Sequence, residues 1–298
     1  MSKKIAVISA VLLAAAVTAI ILLSNLAASN EIFQPENVTV YLPEKSVVET
    51  VGTEDFLRGC VYGRMPRTGV LYEKETIKAI AAVQNTMIMN SIRQNNKSEN
   101  MGADFSVNED FPYISDSDCA INHPNRKIID GVLEETGFLE SGNYPAEVTM
   151  CEISAGFTDA SGDSPALWLP CDALADGYLS NAAFTPKEVR RLMGLAKNPT
   201  ITPDKWFGNA VCSDSGTLIS IELAGRKFTG EQLRSSLNLR STAISVSYAE
   251  DKFFFACKGL GNNKGMSINA ANVMAKQGKT AGEILEFFFP DCTYQNPG

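Results

Sequence analysis

Three helix starts written into the second half of the chain constrain its fold more than any other feature. Thr185-Pro-Lys-Glu188, Thr229-Gly-Glu-Gln232 and Thr280-Ala-Gly-Glu283 each carry a Thr followed three residues later by Glu or Gln. In such a box the hydroxyl and the longer side chain satisfy one another's orphan backbone N–H groups, so the helix start is fixed locally. Pro186 in the first turn of the first box reinforces it. Between the boxes lie runs with strand character: Leu218–Leu223, then Ala243–Tyr248 and Lys252–Cys257 as a hairpin, with Gly225 marking a turn. Predicted helices from Thr229 to about Leu237, Ser267 to Gln277 and Thr280 through Phe287 complete an alternation of strand and helix. The class is α+β.

The first half is less regular. Val38–Leu42 reads as a strand, and Glu54–Val61 as a short helix approaching a turn region over Gly63–Gly69. From Glu75 to Arg93 the pattern predicts a central helix, with Ile77, Ile80, Ala81, Met87, Ile88 and Ile92 on one side at helical spacing. Residues 95–125, rich in Asn, Asp and Ser, read as loops; a helix over about Asn125–Thr136 ends at Gly137, and strands follow around Ala146–Ile153. Residues 31–298 are expected to form one domain, in which 95–145 is the candidate for a small inserted lobe.

At the N-terminus Lys3-Lys4 precede an uncharged, mostly apolar run from Ile5 to about Leu26. A spanning helix needs roughly 17–25 such residues and a signal-peptide core only about 7–15. The expectation is a single-pass membrane anchor within residues 1–30, lysines inside and the rest extracytoplasmic. A long signal peptide cut after Ala27 or Ala28 is the alternative and puts the domain on the same side. The net charge of -8 argues against a nucleic-acid partner, whose phosphates need clustered Lys and Arg, but not against a sugar polymer. The seven cysteines are spread singly with no CxxC, so their spacing carries no strong metal or redox signal. The odd number leaves at least one without an intramolecular partner; buried free thiols are the alternative to disulfides.

Longer stretches then fall into a recognisable order. Leu223-Ala-Gly-Arg-Lys-Phe-Thr-Gly-Glu-Gln-Leu-Arg-Ser-Ser-Leu-Asn-Leu-Arg-Ser-Thr242 is followed by Phe253-Phe-Phe-Ala-Cys-Lys-Gly-Leu-Gly261 and Lys264-Gly-Met-Ser267. Ala271-Asn-Val-Met-Ala-Lys-Gln-Gly-Lys-Thr280 and Glu283-Ile-Leu-Glu-Phe-Phe-Phe-Pro290 complete it. This order resembles the stage II sporulation protein D family, which includes the amidase-enhancer proteins of Gram-positive cell walls; Glu75-Thr-Ile-Lys-Ala-Ile-Ala-Ala82 resembles that family's Ala-rich helix. The resemblance covers roughly residues 38–292. It implies a membrane-anchored sporulation protein acting in engulfment beside an amidase and membrane partners. It also implies a lytic transglycosylase acting on peptide-stripped peptidoglycan glycan strands, with no cofactor.

That chemistry needs one carboxylic acid at the glycosidic oxygen, its pKa raised by its surroundings. In the family this Glu stands just before Met-Pro, ahead of the Ala-rich helix. Here Gly59-Cys-Val-Tyr-Gly-Arg64-Met-Pro66 places Arg64 there, and a guanidinium neither takes nor delivers the proton in such a cycle. Other positions of the implied glycan groove also depart from the family. Asn85 stands for an Arg; Cys151-Glu-Ile-Ser154-Ala-Gly156-Phe-Thr158 replaces a His-Ser-Ser-Ser-Gly-Gly-Arg-Thr stretch. Asn262 and Asn263 stand within a family Gly-His-Gly-Val-Gly, while Gly265, Met266 and Ser267 survive.

The reading is therefore inherited architecture with catalysis lost at position 64. Two alternative acids remain, Glu152 and Glu75, although an acid at a helix N-terminus such as Glu75 is also what the helix dipole favours. Glu73 reads as a solvated loop acid. Cys119 and His123, the latter the only histidine, could offer two ligands on one helical turn, but a closed zinc site takes four, so they read as loop residues. Some family members bind zinc through a Cys and a His before a Gln-x-Tyr segment; Phe111-Pro-Tyr113 resembles that segment, and neither ligand precedes it here. Trp168 and Trp206 could stack on sugar rings, though large aromatics more often lie in cores.

Overall fold

The computed structural model describes residues 34–66, 72–115, 118, 126–195, 199 and 201–295. Two adjacent helices, α1 (Thr53–Arg64) and α2 (Lys74–Gln94), organise the first of two cores. On α2, Thr76, Ile77 and every residue from Ala79 to Thr86 are buried. A helix covered all round needs neighbours on several sides. They are α1, α3 (Arg126–Leu133), α6 (Ile268–Lys276) and α7 (Ala281–Phe288). The small side chains Ala79, Ala81 and Ala82 let these helices approach closely.

Strand β1 (Asn37–Leu42) pairs antiparallel with β2 (Val47–Gly52) and parallel with β3 (Phe105–Ser106), and its Val38 and Val40 point into the same core. Nearby, β4 (Phe138–Ser141) lies between β5 (Tyr144–Pro145) and β14 (Thr293–Gln295). Within residues 95–145, the candidate lobe, Phe105, Ile129, Val132 and Leu139 enter the first core.

The separate core belongs to a later stretch. Strand β6 (Met150–Cys151) pairs in parallel with β13 (Met266–Ser267), and most of the chain between them builds a second core around Phe253, Phe255, Trp206 and Leu233. Its sheets are β11 (Ala243–Ala249), β12 (Lys252–Lys258), β7 (Leu179–Phe184) in that order, and β10 (Arg226–Thr229), β9 (Leu218–Leu223), β8 (Phe207–Cys212). Helices α4 (Pro186–Leu192) and α5 (Gly230–Ser236) belong to this part. The described residues from Glu36 onward nevertheless form one compact unit.

All three capping boxes are formed. In the second, Thr229 Oγ1 accepts from the Gln232 amide at 3.0 Å and Gln232 Oε1 accepts from the Thr229 amide at 2.9 Å. Thr229→Ala is expected to cost about 1 kcal/mol in urea unfolding; no measurable loss would mean that tertiary packing alone sets the start of α5.

Among the described residues no helix is long and apolar enough to cross a membrane. The run Ile5–Leu26 and the anchor expected within residues 1–30 lie outside them, as do Cys119 and His123. The six described cysteines are free thiols.

Candidate functional site

Arg64 closes α1, where a basic side chain suits the negative end of the helix dipole. Its side chain is 1% exposed. Nε donates to Gln84 Oε1 at 3.3 Å, and Nη2 donates to the Asp110 carbonyl at 3.0 Å. Gln84 Nε2 donates to the same carbonyl at 3.1 Å. Nη1 lies 3.5 Å from Glu152 Oε1 yet makes no hydrogen bond among the described residues. The fold thus brings Arg64 and Glu152, one of the two alternative acids, into a single ion pair, with Glu152 reaching solvent at 29% exposure.

Glu75 lies elsewhere. Its Oε2 accepts from the Ala281 amide at 2.8 Å, capping α7, and its Oε1 pairs with Lys78 at 3.1 Å. Burial works to raise its pKa, but the Ala281 amide and Lys78 outweigh it and hold the carboxyl below its ordinary 4.5. That is the wrong direction for a general acid. A depressed folded-state pKa contributes stability above the ordinary value and loses it as pH falls through the folded value. Glu75→Gln is therefore expected to lower the melting temperature at pH 7, with the difference from the parent shrinking toward pH 3; a gap that widens with acidity would contradict this.

Most of the expected groove residues serve the interior. Asn85 Nδ2 donates to the Gly137 carbonyl at 3.1 Å, while its buried Oδ1 has no partner among the described residues. Ser154 is fully buried, its amide donating to Asp172 Oδ2 at 2.8 Å, and Gly156 has φ +91° beneath the Tyr178 hydroxyl. Asn263, at φ +61°, accepts from the Ala155 amide at 2.7 Å and donates to Phe157, Ser215 and Thr217 oxygens. Met266 is buried, and the Ser267 hydroxyl caps α6 through the Ala270 amide at 3.2 Å. Of this set Asn262 lines open space. Trp206 is in the second core, its Nε1 bonded to the Ile201 carbonyl at 3.0 Å, whereas Trp168 is 70% exposed.

That open space is a cleft of about 850 Å³, with the charged and polar side chains of Glu109, Asp110, Glu231, Arg234, Asn262 and Lys264 among its walls. Arg234 on α5 pairs with Glu109, which lies just after β3, and with Glu231 one turn back at 2.9 Å. Burial pushes Glu109 above the ordinary carboxylate value; Arg234 opposes the rise and the charge of Glu152 adds to it. The charge of Glu152 also acts, after burial, on Tyr72, whose hydroxyl is pushed up to about 12. Glu109 and Glu152 therefore share one electrostatic neighbourhood with Arg64.

Sequence reasoning passed over Glu109, Gln84 and Arg234. Arg234 sits inside the Leu223–Thr242 block and Glu109 two residues before Phe111-Pro-Tyr113, which were the available signals. Among the described residues no group of three or more His, Cys, Asp and Glu could hold a metal ion.

No model of a known protein family matches the chain. It is 24% identical over 275 residues to "Stage II sporulation protein D" of Bacillus subtilis (strain 168), covering 86% of this chain and 78% of that protein. It is 26% identical over 285 residues to "Stage II sporulation protein D" of Bacillus amyloliquefaciens, covering 86% and 77%.

Proposed function

The chain is a divergent member of the stage II sporulation protein D family, and from that premise we propose that it binds peptidoglycan glycan strands without cleaving them. The observation that carries this reading is Arg64, which occupies the place of the family acid, is buried and is committed to Gln84, Asp110 and Glu152. A guanidinium remains protonated across the accessible pH range, so no proton cycle can run through it. A cleft that shares Asp110 with the Arg64 network is large enough for a few sugar units and offers hydrogen-bonding groups on several walls. The protein then acts as a glycan-holding component of a wall-remodelling complex in sporulation, beside an amidase and membrane partners. It is tethered by residues 1–30 with its domain extracytoplasmic. A reporter fused after Gly298 that is active only in the cytoplasm would refute that topology.

A second reading, retained transglycosylase activity through another carboxylate, draws on Glu152 opposite Arg64 and on the raised Glu109 in the cleft. Co-sedimentation of the full-length protein with amidase-treated peptidoglycan separates the two. Binding without soluble products supports the first reading and released fragments support the second. Absence of binding removes the first.

A further inference from the structure

Arg234 is the cation that the cleft holds in a fixed place. Its side chain is 14% exposed, and Nε donates to both oxygens of Glu231 at 3.2 and 3.1 Å, which anchors the guanidinium from its own helix. Nη2 reaches across to Glu109, far away in sequence and on the wall contributed by the segment after β3. Glu109 itself lies against the glycine turn of the second part, where a Cβ on Gly261 would come within 3.1 Å of its Oε1. A carboxylate from one wall thus occupies a guanidinium on the other.

We propose that Arg234 reads a carboxylate on the bound strand, and that Glu109 fills this site in the ligand-free protein until the strand displaces it. The inference rests on the glycan-binding reading. A glycan stripped of its peptides by an amidase carries a free lactyl carboxylate wherever an amide bond was hydrolysed, whereas a strand with its peptides intact does not. Arg–carboxylate pairing is directional and, when partly shielded from water, discriminates well. The general field of the cleft does not supply this selectivity. Besides Arg234 and Lys264 it presents Glu109, Asp110, Asp159 and Glu231, so an anion is drawn in only by a positioned donor.

Glu109 suits a displaceable role. Facing it are Arg234 and Glu231 of α5, Glu152 beyond β6 and the buried Cys151 thiol, with the cleft's Lys264, Asp110 and Asp159 nearby. The Glu109 side chain is 34% exposed, so the carboxylate can exchange Arg234 for water.

The test compares full-length parent, Glu109→Gln and Arg234→Gln for binding to amidase-stripped glycan strands and to a chito-oligosaccharide, which has no carboxylate. Glu109→Gln removes the competing charge and is expected to tighten the stripped strand about five- to tenfold while leaving the chito-oligosaccharide unchanged. Arg234→Gln is expected to abolish the preference between the two. If Arg234→Gln unfolds, Glu109→Ala gives the same gain as Glu109→Gln on the proposal. Equal effects on both ligands, or a preference indifferent to all the substitutions, would overturn the assignment while leaving glycan binding standing. Failure of the parent and every variant to bind either ligand would overturn the glycan reading, and the assignment with it.

Discussion

Arg64→Ala is expected to destabilise the protein by about 3 kcal/mol in urea unfolding, because it breaks a buried charge pair from its less exposed side. The guanidinium is 1% exposed and holds Gln84, the Asp110 carbonyl and Glu152 together. Its removal leaves Gln84 Oε1 buried without its donor and opens a void at the end of α1. The Asp110 carbonyl keeps Gln84 Nε2, and Glu152 reaches water at 29% exposure, so the loss stays below that of a fully buried pair. Glu152→Gln, made from the wetter side, is expected to cost less than half as much. A loss under about 1 kcal/mol for Arg64→Ala would mean that the side chain is not anchored as described.

Gly63→Ala is the second large effect, again about 3 kcal/mol or a failure to accumulate folded protein. A Cβ there would overlap the Pro112 carbonyl oxygen, and one at Gly59 would meet the Tyr113 ring and the Ile114 carbonyl. These glycines let the 112–114 segment lie directly on α1. Backbone cannot rotate aside as a side chain can, so residues 110–114 must move, and the Asp110 carbonyl would leave Arg64 with them. Gly131→Ala on the exposed side of α3 is the control: none of the described residues lies within 4 Å of its Cβ. Alanine's higher helix propensity is expected to stabilise the chain there by up to about 1 kcal/mol. Similar losses at both positions would remove the packing explanation.

These two glycines also show why part of the fold could be read in the sequence and part could not. The helix starts at Thr185, Thr229 and Thr280 are local, each box closing within three residues, and all three are where the sequence puts them. Gly63 reads locally as a turn, yet α1 runs through it to Arg64, because its reason is a close approach by a segment remote in sequence. Strand β8 has no alternation to detect, since all but its first residue are exposed. The second core escaped notice because its strands and helices pack on one another without any composition shift to mark them. Within the site, resemblance led to Arg64 and to Glu152 separately. Their contact, the part of Glu109, and the inward bonding of Asn263 depend on tertiary structure that no spacing encodes.

The most direct measurement is mass spectrometry of amidase-stripped glycan after prolonged incubation with the full-length protein at neutral pH. On the proposed reading of Arg64 the strands are expected to stay intact, with no 1,6-anhydro ends above the protein-free control, while the protein co-sediments with them. Anhydro ends that form with the parent and disappear in Glu152→Gln or Glu109→Gln would contradict it, and would make the protein an enzyme whose acid has moved.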